Sequence, residues 1–121
     1  MKTRLETIDV DLAQRIKSLS HAAAKSHVGT MLTEIRSRLP DDVSAHLSSK
    51  DLTGSPDLQD EIDRLDGLAF DLEAAGEVGR SDTAFRAARF LSAVLLLRTT
   101  SSSADLCDAA YEAMFAAGGP P

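Results

Sequence analysis

The sequence predicts an all-α protein, a single-domain antiparallel bundle of four or five helices spanning residues 1–121. Three observations lead to this prediction. Apolar residues recur at spacings of three and four, no stretch shows a sustained alternation of apolar and polar residues, and the candidate helices are joined by short connections. Alanine is abundant while aromatic residues make up only 4% of the chain, which favours closely packed helices. We expect residues 1–8 and 118–121 to be frayed.

The first helical segment covers residues 9–39, with Asp9 as its N-cap. Its apolar positions fall into two sets of different phase: Leu12, Ile16, Leu19 and Ala23, then Val28, Leu32, Ile35 and Leu39. The phase changes at residues 27–30, where Gly29 weakens a helix by about 1 kcal/mol. The segment is therefore either two helices or one long helix that rotates its buried face, and we favour a break or kink at that point. Pro40 ends the segment.

Residues 41–52 are predicted to form one short helix with Val43 and Leu47 facing inward. A loop at residues 53–56 follows, and Ser55 is the expected N-cap of the next helix. That helix, residues 57–77, is called the acidic helix below. Its predicted buried seam consists of Leu58, Ile62, Leu65, Ala69 and Leu72.

A glycine-containing turn at residues 75–80 leads to Ser81, the expected N-cap of a helix that runs to Arg98. This helix is apolar on nearly every side, which is typical of the central helix of a small bundle. In an antiparallel hairpin, Arg86 would lie level with Asp71, and Arg89 level with Asp66 or Leu68. A last helix follows the cap residue Ser102 and extends to about residue 117, with Leu106, Ala110, Ala113 and Ala117 facing inward.

The acidity of the chain is concentrated in the acidic helix. Residues 57–77 contain eight carboxylates and one basic residue, Arg64, a local charge of −7 in a chain whose net charge is −6. Carboxylates on one helix form a focused negative field that attracts a basic partner. The candidate partner-binding residues are Asp60, Asp63, Asp66, Phe70 and Asp71.

Phe70 lies outside the predicted seam of the acidic helix, between Asp63 and Asp66 on the helical wheel. Two interpretations are open. An exposed aromatic ring among carboxylates is typical of an interaction hot spot. Because the chain has so few aromatic residues for its core, we favour the other interpretation, in which residues 41–52 or the N-terminal residues cover Phe70.

Several chemistries are disfavoured by the sequence. The net charge of −6 argues against direct nucleic-acid binding. No apolar run follows Lys2 and Arg4 at the N-terminus, so no signal peptide is expected, and the most apolar stretch, residues 84–97, is too short to span a membrane. A cytoplasmic protein without membrane contact is therefore expected. Cys107, the single cysteine, follows the inward-facing Leu106 and is expected to be a buried thiol. His21 and His27 are six residues apart, which does not suit a metal site, and we expect no metal, cofactor or enzymatic activity.

These observations predict a non-enzymatic regulatory protein that docks its acidic helix on a basic partner surface, as an inhibitor or a nuclease-immunity protein would. One alternative is a homo-oligomeric structural protein, such as a homodimer, with Phe90, Leu97, Tyr111 and Phe115 at its self-interface. Another is a divergent histidine-phosphotransfer-like bundle, because residues 20–25 together with Gly29 are similar to part of the phosphorylation motif of that family. There the lysine would stand three residues after the histidine and glycine would follow it, whereas here Lys25 is four residues after His21 and Ser26 follows.

Overall fold

The computed structural model describes residues 4–47, 58–100 and 102–118. Within these residues the chain forms a 3₁₀ helix at Arg4–Thr7, six α-helices and no strand, which confirms the all-α prediction. The α-helices are α1 (Val10–Ser18), α2 (His21–Arg38), α3 (Asp41–Ser44), α4 (Leu58–Ala74), α5 (Val78–Thr99) and α6 (Ser103–Ala116). No helix of this described part is long and apolar enough to cross a membrane.

Helix α5 lies at the centre of the bundle. It packs most extensively against α4 and α6 and also touches α2 and α3, as its apolar circumference predicts. One buried cluster joins α5 to α2, α3 and α4 and includes Leu65, Phe90 and Leu91. A second cluster joins α1, α2, α6 and the 3₁₀ helix, and Cys107 is buried within it as expected.

The helix starts follow local capping chemistry. Asp9 Oδ1 accepts a hydrogen bond from the Leu12 amide at 3.0 Å, and Ser102 Oγ accepts one from the Asp105 amide at 3.2 Å. Both residues therefore act as the predicted N-caps. Ser81 does not, because α5 begins three residues earlier, at Val78. The Ser81 hydroxyl instead donates to the Ala69 carbonyl at 2.6 Å and ties α4 to α5.

The break in the first helical segment lies at residues 19–20 rather than at residues 27–30. Ser20 Oγ accepts a hydrogen bond from the Ala23 amide and starts α2, which then continues through Gly29 to Arg38. A Cβ atom at position 29 would lie 3.8 Å from a Leu97 methyl group, so the glycine faces α5. The capping serine decides where the chain breaks, and the packed helix tolerates the glycine.

Of the predicted seam of the acidic helix, Leu58, Ile62, Leu65 and Ala69 are buried and Leu72 is partly exposed. The short helix predicted within residues 41–52 is the single turn α3. Val43 and Leu47 are buried as predicted. Residues 48–52, the loop at 53–56 with its proposed cap Ser55, and Asp57 lie outside the described residues.

The expectation that residues 1–8 are frayed is wrong from Arg4 onward. Leu5 is completely buried, and the 3₁₀ helix packs on α1 and α6. The Arg4 side chain adds contacts with Asp108 and Glu112 of α6. At the other end of the chain, Gly118 follows the C-cap Ala117 with a positive φ of 117°. Residues 1–3 and 119–121, which were also expected to be frayed, lie outside the described residues.

Candidate partner-binding surface

The outward face of α4 carries Asp63, Asp66, Phe70 and Glu73. Their spacings of three, four and three place these side chains on one side of a helix. The apolar seam that includes Leu65 and Ala69 lies on another side and packs against α5. Helix α4 therefore buries Ile62, Leu65 and Ala69 while it holds an aromatic ring and carboxylates toward solvent.

Phe70 is 72% exposed, so the expectation that another segment covers it is wrong. Helix α3 and the residues after it reach α4 on the side of Leu68 and Leu72, where Asp42 and His46 line a shared concavity with them. The 3₁₀ helix at Arg4–Thr7 packs on α1 and α6, and its Arg4 lines a concavity with Phe85 and Arg89 that does not include Phe70. Neither candidate cover therefore reaches Phe70.

Phe70 lies at one wall of a shallow groove between α4 and α5, which we call the acidic groove. Its volume is about 360 Å³, and it is lined by Asp66, Ala69, Phe70, Glu73, Val78, Ser81, Asp82 and Phe85. Val78 is 69% exposed and Phe85 39% exposed, so together with Phe70 they form an apolar patch. Carboxylates stand on both helices around this patch, which is the arrangement of an apolar contact with a charged rim.

The structure brings together some of the five predicted binding residues and separates others. Asp66 and Phe70 line the acidic groove, and Asp63 continues the same face one turn earlier. Asp60 and Asp71 are exposed but do not line the groove. Asp71 is rotated by about 100° from Phe70, so it can contact only a partner that extends beyond the groove.

Asp66 differs from the other groove carboxylates because it is bound to Arg89 of α5. Arg89 Nη2 donates to its two carboxylate oxygens at 2.6 and 2.8 Å, which confirms the predicted pairing of these residues across the hairpin. The Arg89 guanidinium also lies 5.2 Å from the ring centre of Phe85. This contact fixes Phe85 as a wall of the groove.

The predicted pairing of Arg86 with Asp71 is wrong. Arg86 Nε donates instead to the carbonyl of Ala116 at 2.9 Å, near the end of α6. The arginine thereby satisfies a carbonyl that has no partner within its own helix.

Arg89 continues into an ion-pair chain that sequence reasoning missed. Its Nη1 lies 3.2 Å from Glu112 of α6, and Glu112 in turn lies 3.3 Å from Arg4. Glu112 is only 6% exposed. Burial acts to lower the pKa of Arg4, but the neighbouring carboxylates of Asp108 and Glu112 outweigh it and the net shift is upward. The sequence could have indicated a buried, ion-paired acid here, because Glu112 is the single charged residue in the apolar stretch 109–117.

The histidines and the other side chains that could bind a metal or react are dispersed over the molecule. His21 is exposed at the first position of α2, while His27 and His46 are partly exposed. No group of three or more His, Cys, Asp or Glu side chains is placed to hold a metal ion within the described residues. Phe90 is only 1% exposed, so the proposed self-interface that included it is wrong at this residue.

Comparison of the chain with protein-family models, with curated proteins and with solved structures found no match.

Proposed function

We propose that this protein is a non-enzymatic binding protein that docks the acidic groove and the outer face of α4 on a basic surface of another protein. The observation that carries the proposal is the 72% exposure of Phe70 in a groove whose carboxylates Glu73 and Asp82 bind no basic side chain among the described residues. Among the described residues, Asp63, Glu73 and Asp82 form no ion pair. By blocking or bridging a basic surface, such a protein would act as an inhibitor or an adaptor.

The apolar patch and its rim have different roles in this docking. Phe70, Val78 and Phe85 supply the area that loses contact with water, which accounts for most of the affinity. Glu73 and Asp82 stand on opposite helices, so a partner with lysine or arginine on both sides of an apolar side chain fits between them. These carboxylates steer the encounter and set its register, chiefly through the association rate.

The first experiment is affinity capture from the lysate of the cells that make the protein, at low and at high salt. Three forms serve as bait: the native chain, Glu73→Gln/Asp82→Asn, and the control Asp11→Asn/Glu34→Gln. Both double variants remove two negative charges, but the control changes exposed residues of α1 and α2. We expect a basic protein to be retained by the native and control baits at low salt and lost from the groove variant.

A second pair of variants separates the ring from the charges. Phe70→Ala is expected to weaken binding of the captured protein by tenfold or more, roughly 1.4 kcal/mol or above. Val10→Ala, which alters a half-exposed apolar residue of α1, is expected to have no effect. Equal retention by native and groove variants, or an affinity insensitive to both Phe70→Ala and salt, would rule out docking through this groove.

The homo-oligomer alternative makes a different prediction about the free protein. Self-association through the exposed patch would give a mass that rises with concentration in light scattering and falls in Phe70→Ala. The docking proposal expects a monomer at micromolar concentration in both forms.

The exposure of His21 is the observation that favours the phosphotransfer alternative. A histidine that exchanges phosphate with another protein must be accessible. Incubation with phosphorylated response-regulator domains tests this directly. Incorporation of phosphate that His21→Gln abolishes would favour the alternative over docking.

A further inference from the structure

A second groove runs along the other side of α5, between α5 and α2, and we call it the basic groove. Its volume is about 610 Å³, and it is lined by Gly29, Leu32, Thr33, Arg36, Ser37, Phe90, Val94, Leu97 and Arg98. This volume falls within the range of small-molecule sites, roughly 300–1,000 Å³. The apolar side chains form its floor, and Gly29 leaves it open above Leu97.

The charge of the basic groove is opposite to that of the chain as a whole. Its lining includes two arginines and no carboxylate, in a protein of net charge −6. Neither Arg36 nor Arg98 forms an ion pair within the described residues. By contrast, Arg4, Arg64 and Arg89 each bind a carboxylate.

Arg36 has unused hydrogen-bonding capacity at this groove. Its Nη1 donates to Ser44 Oγ at 3.0 Å, while its Nε is buried and has no acceptor among the described residues. A buried guanidinium nitrogen without an acceptor costs free energy, and an anion at the groove recovers that cost if the Arg36 side chain shifts to bring the nitrogen to the ligand. Arginine is well suited to that role because its planar fork matches carboxylate and phosphate groups.

From this combination we propose that the basic groove binds a single-chain anionic amphiphile, such as a fatty carboxylate. The alkyl chain lies along Leu32, Val94 and Leu97, and the anionic head group binds Arg36 and Arg98 at the rim. The charge of the rim distinguishes this ligand from a neutral or cationic lipid of the same length. The site is separate from the acidic groove, so a test of amphiphile binding does not depend on the result for docking.

The test uses the full chain and laurate below its micellar concentration, with binding measured by isothermal titration calorimetry. We expect saturable binding at one site per chain and weaker binding, by tenfold or more, of dodecanol and dodecyltrimethylammonium. Dodecyl phosphate serves as a further probe to distinguish a carboxylate from a phosphate head group. Equal binding of the cationic and anionic probes, or no saturable binding of either anion, would overturn the proposal.

Variants of this chain locate the site. Arg98→Gln changes an exposed side chain and is expected to weaken laurate binding about tenfold, whereas Arg15→Gln on α1 is the matched control. Gly29→Leu directs a side chain toward Leu97 and is expected to abolish binding by filling the groove. Circular dichroism establishes that each variant is folded. Laurate binding that survives both Arg98→Gln and Gly29→Leu would place the ligand elsewhere and overturn the assignment.

Other occupants of the basic groove give distinct results. A second copy of the chain in the groove would produce a concentration-dependent dimer that Arg98→Gln dissociates, without laurate binding. Another segment of this chain in the groove would leave the native protein unable to bind laurate, and Gly29→Leu would then lower its stability. Either result contradicts the amphiphile site.

Discussion

The carboxylates on and next to the hairpin of α4 and α5 form two groups, one that binds arginine and one that faces solvent. Asp66 binds Arg89, which also binds the nearly buried Glu112, so these acids connect α4, α5 and α6. Glu73 of α4 and Asp82 of α5 lie on the same hairpin, but they face solvent without an ion pair in the described part of the chain. The difference teaches that the number of acids in a segment does not say how many are available to a partner.

The position of α5 explains which carboxylates are bound. Because α5 is the central helix, Arg89 can reach acids on the helices at both sides of it. An acid that shares an arginine in this protected environment contributes to the fold, whereas exposed ion pairs contribute only about 0–1 kcal/mol. Glu73 and Asp82, by contrast, add little to folding, and the docking proposal assigns them to binding.

Among variants of the two groups of carboxylates, Glu112→Gln is expected to cause the largest loss of stability. The substitution leaves Arg89 and Arg4 without a shared anion, and we expect the free energy of unfolding to fall by about 2–3 kcal/mol. Urea denaturation measures this change, with Glu73→Gln as the control that removes an exposed charge at little cost. Equal stabilities of the two variants would mean that Glu112 is no more important to the fold than a surface acid.

Asp66→Asn is expected to have a smaller effect, about 1 kcal/mol of destabilisation. Its side chain is 41% exposed, and Arg89 retains Glu112 when Asp66 loses its charge. Asp71→Asn on the same helix is the control, because Asp71 is exposed and has no ion pair among the described residues. A double-mutant cycle with Arg89→Gln measures the coupling, and a coupling near zero would contradict the role given to this pair.

Gly67→Ala tests whether the solvent-facing side of α4 is free of packing contacts, without changing a charge. Gly67 is exposed within α4, and a Cβ atom there would meet no atom within 4 Å. We expect the variant to be more stable by about 0.5–1 kcal/mol, because alanine is the better helix former. Gly76→Ala is the contrasting variant, since Gly76 has a φ of 80° and alanine there would be strained. A loss of stability in Gly67→Ala would contradict the exposed helical setting of this residue.

The smallest expected effect on folding is that of Phe70→Ala. Because the ring is mostly in solvent, the free energy of unfolding should change by no more than about 0.5 kcal/mol. Thermal or urea denaturation measures it alongside the binding assay. A destabilisation above 2 kcal/mol would show that Phe70 is packed in solution and would remove it from the docking surface.

Much of the fold could be predicted because it depends on local chemistry. The caps at Asp9 and Ser102 and the seam through Leu65 follow from short-range spacing. The break between α1 and α2 was misplaced because Ser20 starts a new helix by capping it, while Gly29 is tolerated inside α2, where it packs against Leu97. The burial of Leu5 likewise depends on a surface of α6 that is about one hundred residues away in the chain.

The candidate site was predicted less completely, for the same reason. Helical spacing placed Asp66 and Phe70 on one face and Arg89 opposite Asp66. The exposure of Phe70 depends on where α3 packs, and the contribution of Val78 and Phe85 depends on how α5 aligns with α4. Neither relation can be obtained from the periodicity of a single helix.

The contact between Arg4 and Tyr111 makes tyrosine fluorescence a probe of how the N-terminal 3₁₀ helix is attached. The chain has no tryptophan and a single tyrosine, so all of its tyrosine emission comes from that ring. The Arg4 guanidinium lies 4.6 Å from the ring centre, and this contact exists only while the N-terminal 3₁₀ helix is docked on α6. Fluorescence at this one residue therefore follows the attachment of the first turn of the chain, separately from the circular dichroism signal of the bundle.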